Sequence, residues 1–362
     1  MSGGSGGGAA LLINLSFVPE KPTGLAVYAL NLVRHLPELD SCLLSAREQP
    51  GQRVLPSPAR ATSDFGKGGH GRRLWWTQFQ VPRLYRQMAA RLFFSPLPEA
   101  PLGANCQTVV TVHDLIPLHF PRWGSPATLY SRHYLPRVIA QARHLIFDSE
   151  STLRDVYQFF GPPPGATTVV PLAYDEGHYR WLDLPRQPYF LYVGRHEPYK
   201  NLGRLIEAFA SLKGSDTELW IAGAVDPRYT PQLQAQAEAL GVCDRTRFLS
   251  YLPYAELPRL LNQALALVFP SLWEGFGLPV LEAMACGTPV ITSNLSSLPE
   301  VAGEAALLID PYRVGELAEA MAAVADRPGL WARLHQAGLE RAQAFSWAKT
   351  GRQTGDILQR YL

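Results

Sequence analysis

Two carboxylates eight positions apart, Glu274 and Glu282, bracket a glycine turn in the stretch Ser271-Leu-Trp-Glu-Gly-Phe-Gly-Leu-Pro-Val-Leu-Glu-Ala283. A carboxylate at the rim of a turn can accept hydrogen bonds from sugar hydroxyls, and one in the first turn of the following helix can accept from a ribose diol. The competing reading is structural: Glu282 complements a helix dipole, worth about 0.3–1 kcal/mol, and Glu274 is a solvated loop acid. Between the two acids, Gly275 and Gly277 open backbone angles closed to other residues. Pro279 suits the start of a helix that Gly287 ends. A helix N-terminus exposes unpaired N–H groups and carries partial positive charge, so the amides of Phe276, Gly277 and Leu278 form a cradle for a diphosphate.

Two further places carry chemistry. The apolar run Tyr189-Phe-Leu-Tyr-Val-Gly-Arg195 leads into His196-Glu-Pro-Tyr-Lys-Asn201, which sets Arg195 and Lys200 beyond the end of a buried strand. Fixed cations there stabilise a leaving diphosphate as it gathers negative charge; on their own they would be surface charges. His113 ends the strand Thr108-Val-Val-Thr-Val112, and ligands of open α/β sheets collect outside the carboxyl ends of the strands. A lone histidine is more often a satisfied polar residue.

The stretch Glu274-Gly-Phe-Gly-Leu-Pro-Val-Leu-Glu-Ala283 resembles the E-x7-E signature of glycosyltransferase family 4, retaining enzymes of the GT-B fold. Gly194-Arg-x4-Lys-Asn201, Val110-Thr-Val-His-Asp-Leu115 and Ser149-Glu-Ser-Thr152 resemble other hallmarks of that family, and the likeness runs from about residue 11, strongest over 189–302. It implies a catalytic set of His113, Arg195, Lys200 and Glu274, with His113 against the transferred sugar and Asp114 holding the loop or the imidazole. It places Glu274 on the donor sugar and Glu282 on the ribose. Donor binding then extends over Gly24, Arg195, Lys200, Tyr251, Leu252, Glu274, Gly275, Phe276, Gly277, Leu278 and Glu282. Gly24 stands where the family carries a glycine-rich turn, of which only Thr23-Gly24 remains, and a plain loop glycine is the other reading. Tyr251 and Leu252 fall where the family binds the nucleobase.

The resemblance also implies an α/β architecture of two Rossmann-like, doubly wound domains facing across a cleft, with Arg195, Lys200, Glu274 and Glu282 converging on a crevice opposite His113. The pattern looks most like bacterial mannosyltransferases of O-antigen and exopolysaccharide assembly. GDP-mannose is therefore the favoured donor and a glycan or lipid-linked saccharide the acceptor; UDP- and dTDP-sugars stay open. No metal or other cofactor is implied, in keeping with the lack of an Asp-x-Asp triplet. Rival readings are a sugar-nucleotide 2-epimerase and a non-catalytic nucleotide-sugar-binding subunit; a dehydrogenase is disfavoured, since no GxGxxG follows a strand.

The 362 residues, 47% hydrophobic and 18% charged, suit two globular domains with substantial cores. A net charge of +2 does not argue for nucleic acid. The four cysteines, Cys42, Cys106, Cys243 and Cys286, show no metal spacing and read as reduced core thiols, hence a cytoplasmic protein without structural zinc. Residues 1–9 read as a flexible leader, not a signal peptide, and no run reaches the ~20 apolar residues of a membrane-spanning helix. Membrane association would be peripheral.

Alternating strand and helix patterns place an acceptor-binding domain at 10–175, a nucleotide-sugar domain at 176–345 and a helix crossing back at 346–362. Strands are expected at 10–15, 92–95, 108–112, 144–148, 189–195, 218–223, 247–251, 265–270 and 289–292, with a helix spanning 126–142. Gly66-Lys-Gly-Gly-His-Gly71 reads as a mobile loop. Arg72 to Arg91 after it reads as a helix with an aromatic core face and solvated arginines, or else as a membrane- or acceptor-facing surface.

Overall fold

The computed structural model describes residues 9–20, 24–212, 216–250 and 252–362, which divide into two compact units, Met1–Leu172 with Trp347–Leu362 and Ala173–Ser346. Runs of branched and aromatic apolar residues build a wholly parallel sheet in each, as expected where helices cover both faces.

In the first unit the strands are β1 (Leu11–Asn14), β2 (Ser41–Ser45), β3 (Val54–Pro56), β4 (Leu92–Ser95), β5 (Thr108–Val112), β6 (His144–Phe147) and β7 (Ala166–Val169), in the order β3-β2-β1-β4-β5-β6-β7. Residues alternate between faces along a strand. Val110, Val112, Leu145 and Phe147 thus share one core with Leu135, Val138 and Ile139, while Leu12, Leu44 and Phe93 share another with Trp76 and Tyr85. The final helix, Trp347–Gln359, packs against Leu25–His35. Two glycines permit that approach: a Cβ on Gly351 would lie 2.2 Å from the His35 carbonyl oxygen, and one on Gly355 2.4 Å from the Pro37 ring.

The second unit holds β8 (Tyr189–Val193), β9 (Glu218–Ala222), β10 (Thr246–Leu249), β11 (Ala266–Phe269), β12 (Val290–Ser293) and β13 (Ala306–Ile309), ordered β10-β9-β8-β11-β12-β13. Both sheets therefore reverse their strand order once, between β1 and β4 in the first and between β8 and β11 in the second. Such a switch point splays the connections apart and leaves a crevice outside the carboxyl ends of the strands.

Several local expectations are corrected. Gly66 to Gly71 is not a loop but the beginning of a helix, Gly66–Phe79, followed by Val81–Gln87. Arg73 is not a solvated arginine: its guanidinium is buried and grips Glu99 at 2.8 and 2.7 Å. The helix expected over 126–142 is two, Pro126–His133 and Leu135–Gln141, divided just ahead of Pro136, whose missing N–H cannot continue the ladder. Of the cysteines, Cys42 and Cys286 are buried but Cys243 is exposed. No helix of the described residues is long and apolar enough to cross a membrane.

Candidate active site

In the second unit the chemistry gathers at the switch point. Beyond β8 the chain makes a short turn, Pro198–Lys200, and Asn201 takes a left-handed conformation (φ 63) before the helix Leu202–Ala210. Asparagine tolerates that conformation, and its buried amide donates to the carbonyls of Pro270 and Pro311 at 3.1 and 2.7 Å. The loop after β8 is thereby tied to the loops after β11 and β13. The Leu272 N–H, donating to the Tyr199 carbonyl at 2.7 Å, closes a second tie. Lys200 is carried onto Glu274 by this scaffold, Nζ to Oε1 2.5 Å, with both side chains about nine-tenths buried.

Glu274 opens the glycine turn. Its own N–H donates to the Ser296 hydroxyl at 3.0 Å, and the Ser297 hydroxyl is within 3.0 Å of the Glu274 carbonyl and 2.7 Å of that of Phe276. In a trans peptide the N–H points opposite to the preceding C=O, so this anchoring turns the N–H groups of Gly275 and Gly277 away from Ser297. Gly277 caps the helix Leu278–Ala285 at φ 108, where a Cβ would sit 2.7 Å from Leu298 Cδ2. Glycine is required there on both counts. The outcome is a helix N-terminus, a lysine and a carboxylate gathered at the ends of the two central strands, an arrangement suited to an anionic group joined to a hydroxylated one.

The other expected members have these surroundings. Arg195 is exposed, and its carbonyl accepts from the Tyr192 hydroxyl at 2.8 Å. Glu282 stands in the second turn of its helix, not the first, and its carboxyl is bonded to the Tyr179 phenol; burial raises it to about 7. Tyr179 is itself boxed by the rings of His178 and Tyr254. Phe276 is buried against Phe345, and Leu252 is half-buried. Tyr251 lies outside the described residues. Among those described, no group of three or more His, Cys, Asp or Glu side chains is placed to hold a metal ion.

In the first unit Gly24 is a left-handed glycine (φ 45) at the start of the helix Leu25–His35, and its carbonyl accepts from Tyr28 N–H at 3.0 Å. His113 sits at the end of β5, buried, with Nδ1 2.6 Å from Asp148 Oδ2 and Nε2 2.7 Å from the Pro96 carbonyl. Asp148, not Asp114, holds the imidazole. Asp114 Oδ1 instead accepts the Ile116 N–H at 3.0 Å and shapes the loop. Sequence reasoning singled out none of Asp148, Tyr179, Ser296 or Ser297; only Asp148 carried a readable signal, as an acid at the end of the strand beside the histidine's.

Comparison with known proteins agrees with this geometry. Residues 22–178 match the description "Glycosyltransferase Family 4" and residues 181–341 match "Glycosyl transferases group 1". The O-antigen chain mannosyltransferase B of Escherichia coli is 30% identical over 283 residues, 68% of this chain and 69% of that one. The O-antigen chain mannosyltransferase RfbU of Salmonella typhimurium is 27% identical over 313 residues, 83% and 87% of the two chains. Among solved structures, HepE of Anabaena in complex with UDP and glucose superposes with a TM-score of 0.76 at 18% identity, over 97% of this chain and 99% of that one. Two parallel-sheet Rossmann-like units with a charged pair at the switch point define a glycosyltransferase of the GT-B fold. The chain belongs to glycosyltransferase family 4.

Proposed function

We propose that this glycosyltransferase moves mannose from GDP-mannose onto a glycan or lipid-linked saccharide during assembly of a cell-surface polysaccharide, with retention of the anomeric configuration. The observation that carries the reading is the meeting of Lys200 and Glu274 at the switch point, beside the helix N-terminus at Leu278. Likeness to two O-antigen mannosyltransferases supports the choice of sugar.

In this proposal Lys200, Arg195 and the helix N-terminus take the diphosphate and steady it as the glycosidic bond breaks, since fixed positive charge lowers the barrier where negative charge develops. Glu274 reads the donor sugar, Glu282 the ribose, and Leu252 with Tyr251 the base. His113 serves the transferred sugar, and the departing phosphate accepts the proton of the attacking hydroxyl. No step assigned here calls for a metal ion, so transfer should persist in a chelator.

Mass-detected transfer from a panel of GDP-, UDP- and dTDP-sugars to a saccharide acceptor tests the donor. Turnover with GDP-mannose is expected, and turnover confined to a UDP-sugar rejects that choice. The anomeric coupling in the product tests retention. Conversion of the sugar-nucleotide without acceptor would favour an epimerase instead.

A further inference from the structure

We propose that Asp148 holds His113 as a permanent, doubly protonated cation, so that the histidine offers the reaction a fixed positive charge and neither a base nor a free N–H. The catalytic use of that charge rests on the transferase reading above; the charge itself does not.

A backbone carbonyl has no hydrogen to give, so the 2.7 Å contact with Pro96 requires a proton on His113 Nε2. An ionised carboxylate likewise only accepts, so the 2.6 Å contact with Asp148 Oδ2 requires one on Nδ1. Both nitrogens then carry hydrogen and the ring is an imidazolium. The surroundings suit that state. Asp148 Oδ1 is buried without a hydrogen-bond partner, so among the described residues the contact with His113 is the side chain's one hydrogen bond, and an ionised Asp148 takes its counter-charge from the ring. The Tyr28 ring meets the imidazole edge-on at 4.8 Å, its hydroxyl engaged with Thr111, and the Thr152 hydroxyl donates to the His113 carbonyl at 3.0 Å. Position and orientation are thus fixed from the helix Leu25–His35 and from the helix Glu150–Phe160.

The ionisable groups facing the ring are Asp148 from the end of β6, Asp114 from its own loop and Tyr28 from the helix Leu25–His35. Burial opposes a charge on His113, but Asp148, the bond to Pro96 and Asp114 outweigh it and the imidazole is raised above its ordinary value. Burial keeps the Tyr28 phenol neutral, far above its usual range. The alternative is a neutral pair with the shared proton on Asp148.

Asp148→Asn separates charge from position. The asparagine amide can donate to Nδ1 while Nε2–H still donates to Pro96, which holds a neutral ring in the same place. The test is nitrogen-15 NMR of the full chain labelled at histidine, with the His113 signals identified by their loss in His113→Gln. At pH 7.5, where a free imidazole with a pKa of about 6.5 is mostly neutral, two protonated ring nitrogens are expected in the wild type and one in Asp148→Asn. A single protonated nitrogen on His113 in the wild type overturns the proposal, whether or not Asp148→Asn folds. For the catalytic arm, Asp148→Asn should lower kcat about 10-fold or more with KM little changed; an unchanged kcat removes the charge from the reaction. Absence of transferase turnover in the wild type would strike the reading of function and leave the NMR result standing.

Discussion

Lys200 and Glu274, 74 residues apart in the chain, meet at 2.5 Å across the two strands where the second sheet reverses its order. A lysine that already has a carboxylate in hand is placed, not searching, when an anion arrives.

If the pair acts as a unit, its single and double substitutions will not add. Lys200→Ala and Glu274→Ala should each lower kcat/KM by about 10²–10³-fold, the scale of losing one preorganised charged contact. The double substitution should cost little more than the worse single one. Steady-state kinetics of the three variants checks this, and full additivity would mean that the residues act separately.

Glu282 gives a pH signature. Its carboxyl ordinarily titrates near 4.5 and burial raises it to about 7 in the folded chain. The folded state therefore holds a proton that the unfolded state has released, so stability is full below the unfolded value and falls as pH rises from there through about 7. Urea midpoints should decline over that window, and Glu282→Gln should flatten the decline.

Gly277 is a place where backbone and space agree. Gly277→Ala imposes a left-handed angle on a residue with a side chain, at about 1–3 kcal/mol, and pushes Leu298 Cδ2, 2.7 Å from the new carbon. Thermal unfolding should show the loss. Turnover should fall with it, and adding Leu298→Ala should relieve the collision but not the backbone cost, so only part of the turnover returns.

The buried Arg73–Glu99 pair concerns stability alone. Arg73→Ala leaves Glu99 buried without its cation, a loss of about 3–5 kcal/mol, yet GDP affinity in the second unit should stay at the wild-type level. Calorimetric unfolding and nucleotide titration on the same preparation separate the two effects.

How much of this was legible beforehand depends on where each signal resides. β4, β5, β6, β8 and β11 were readable because burial on both faces forces unbroken apolar runs, and the Glu274 turn because glycine and proline mark backbone geometry directly. β2, β3, β7 and β13 were missed: Ser41–Ser45 is flanked by serines, Val54–Pro56 is three residues long, and Ala166–Val169 and Ala306–Ile309 are partly exposed. The helix at Gly66–Phe79 defied its four glycines because Arg73 and Trp76 anchor it by tertiary contacts that local propensity does not contain. The site divided in the same way. Lys200 and Glu274 sit in motifs whose chemistry is written in their residue types, whereas Asp148 and Ser297 act through partners 35 and 21 to 23 positions away.

The central claim is that Lys200 and Glu274 hold the two ends of a sugar-nucleotide, the diphosphate and the sugar. Calorimetric titration of GDP and of GDP-mannose into the wild type, Lys200→Ala and Glu274→Gln tests it most directly. Lys200→Ala should weaken both ligands, while Glu274→Gln should bind GDP as the wild type does and lose the added affinity that the mannose confers. Wild-type affinities for both ligands in both variants would contradict the account.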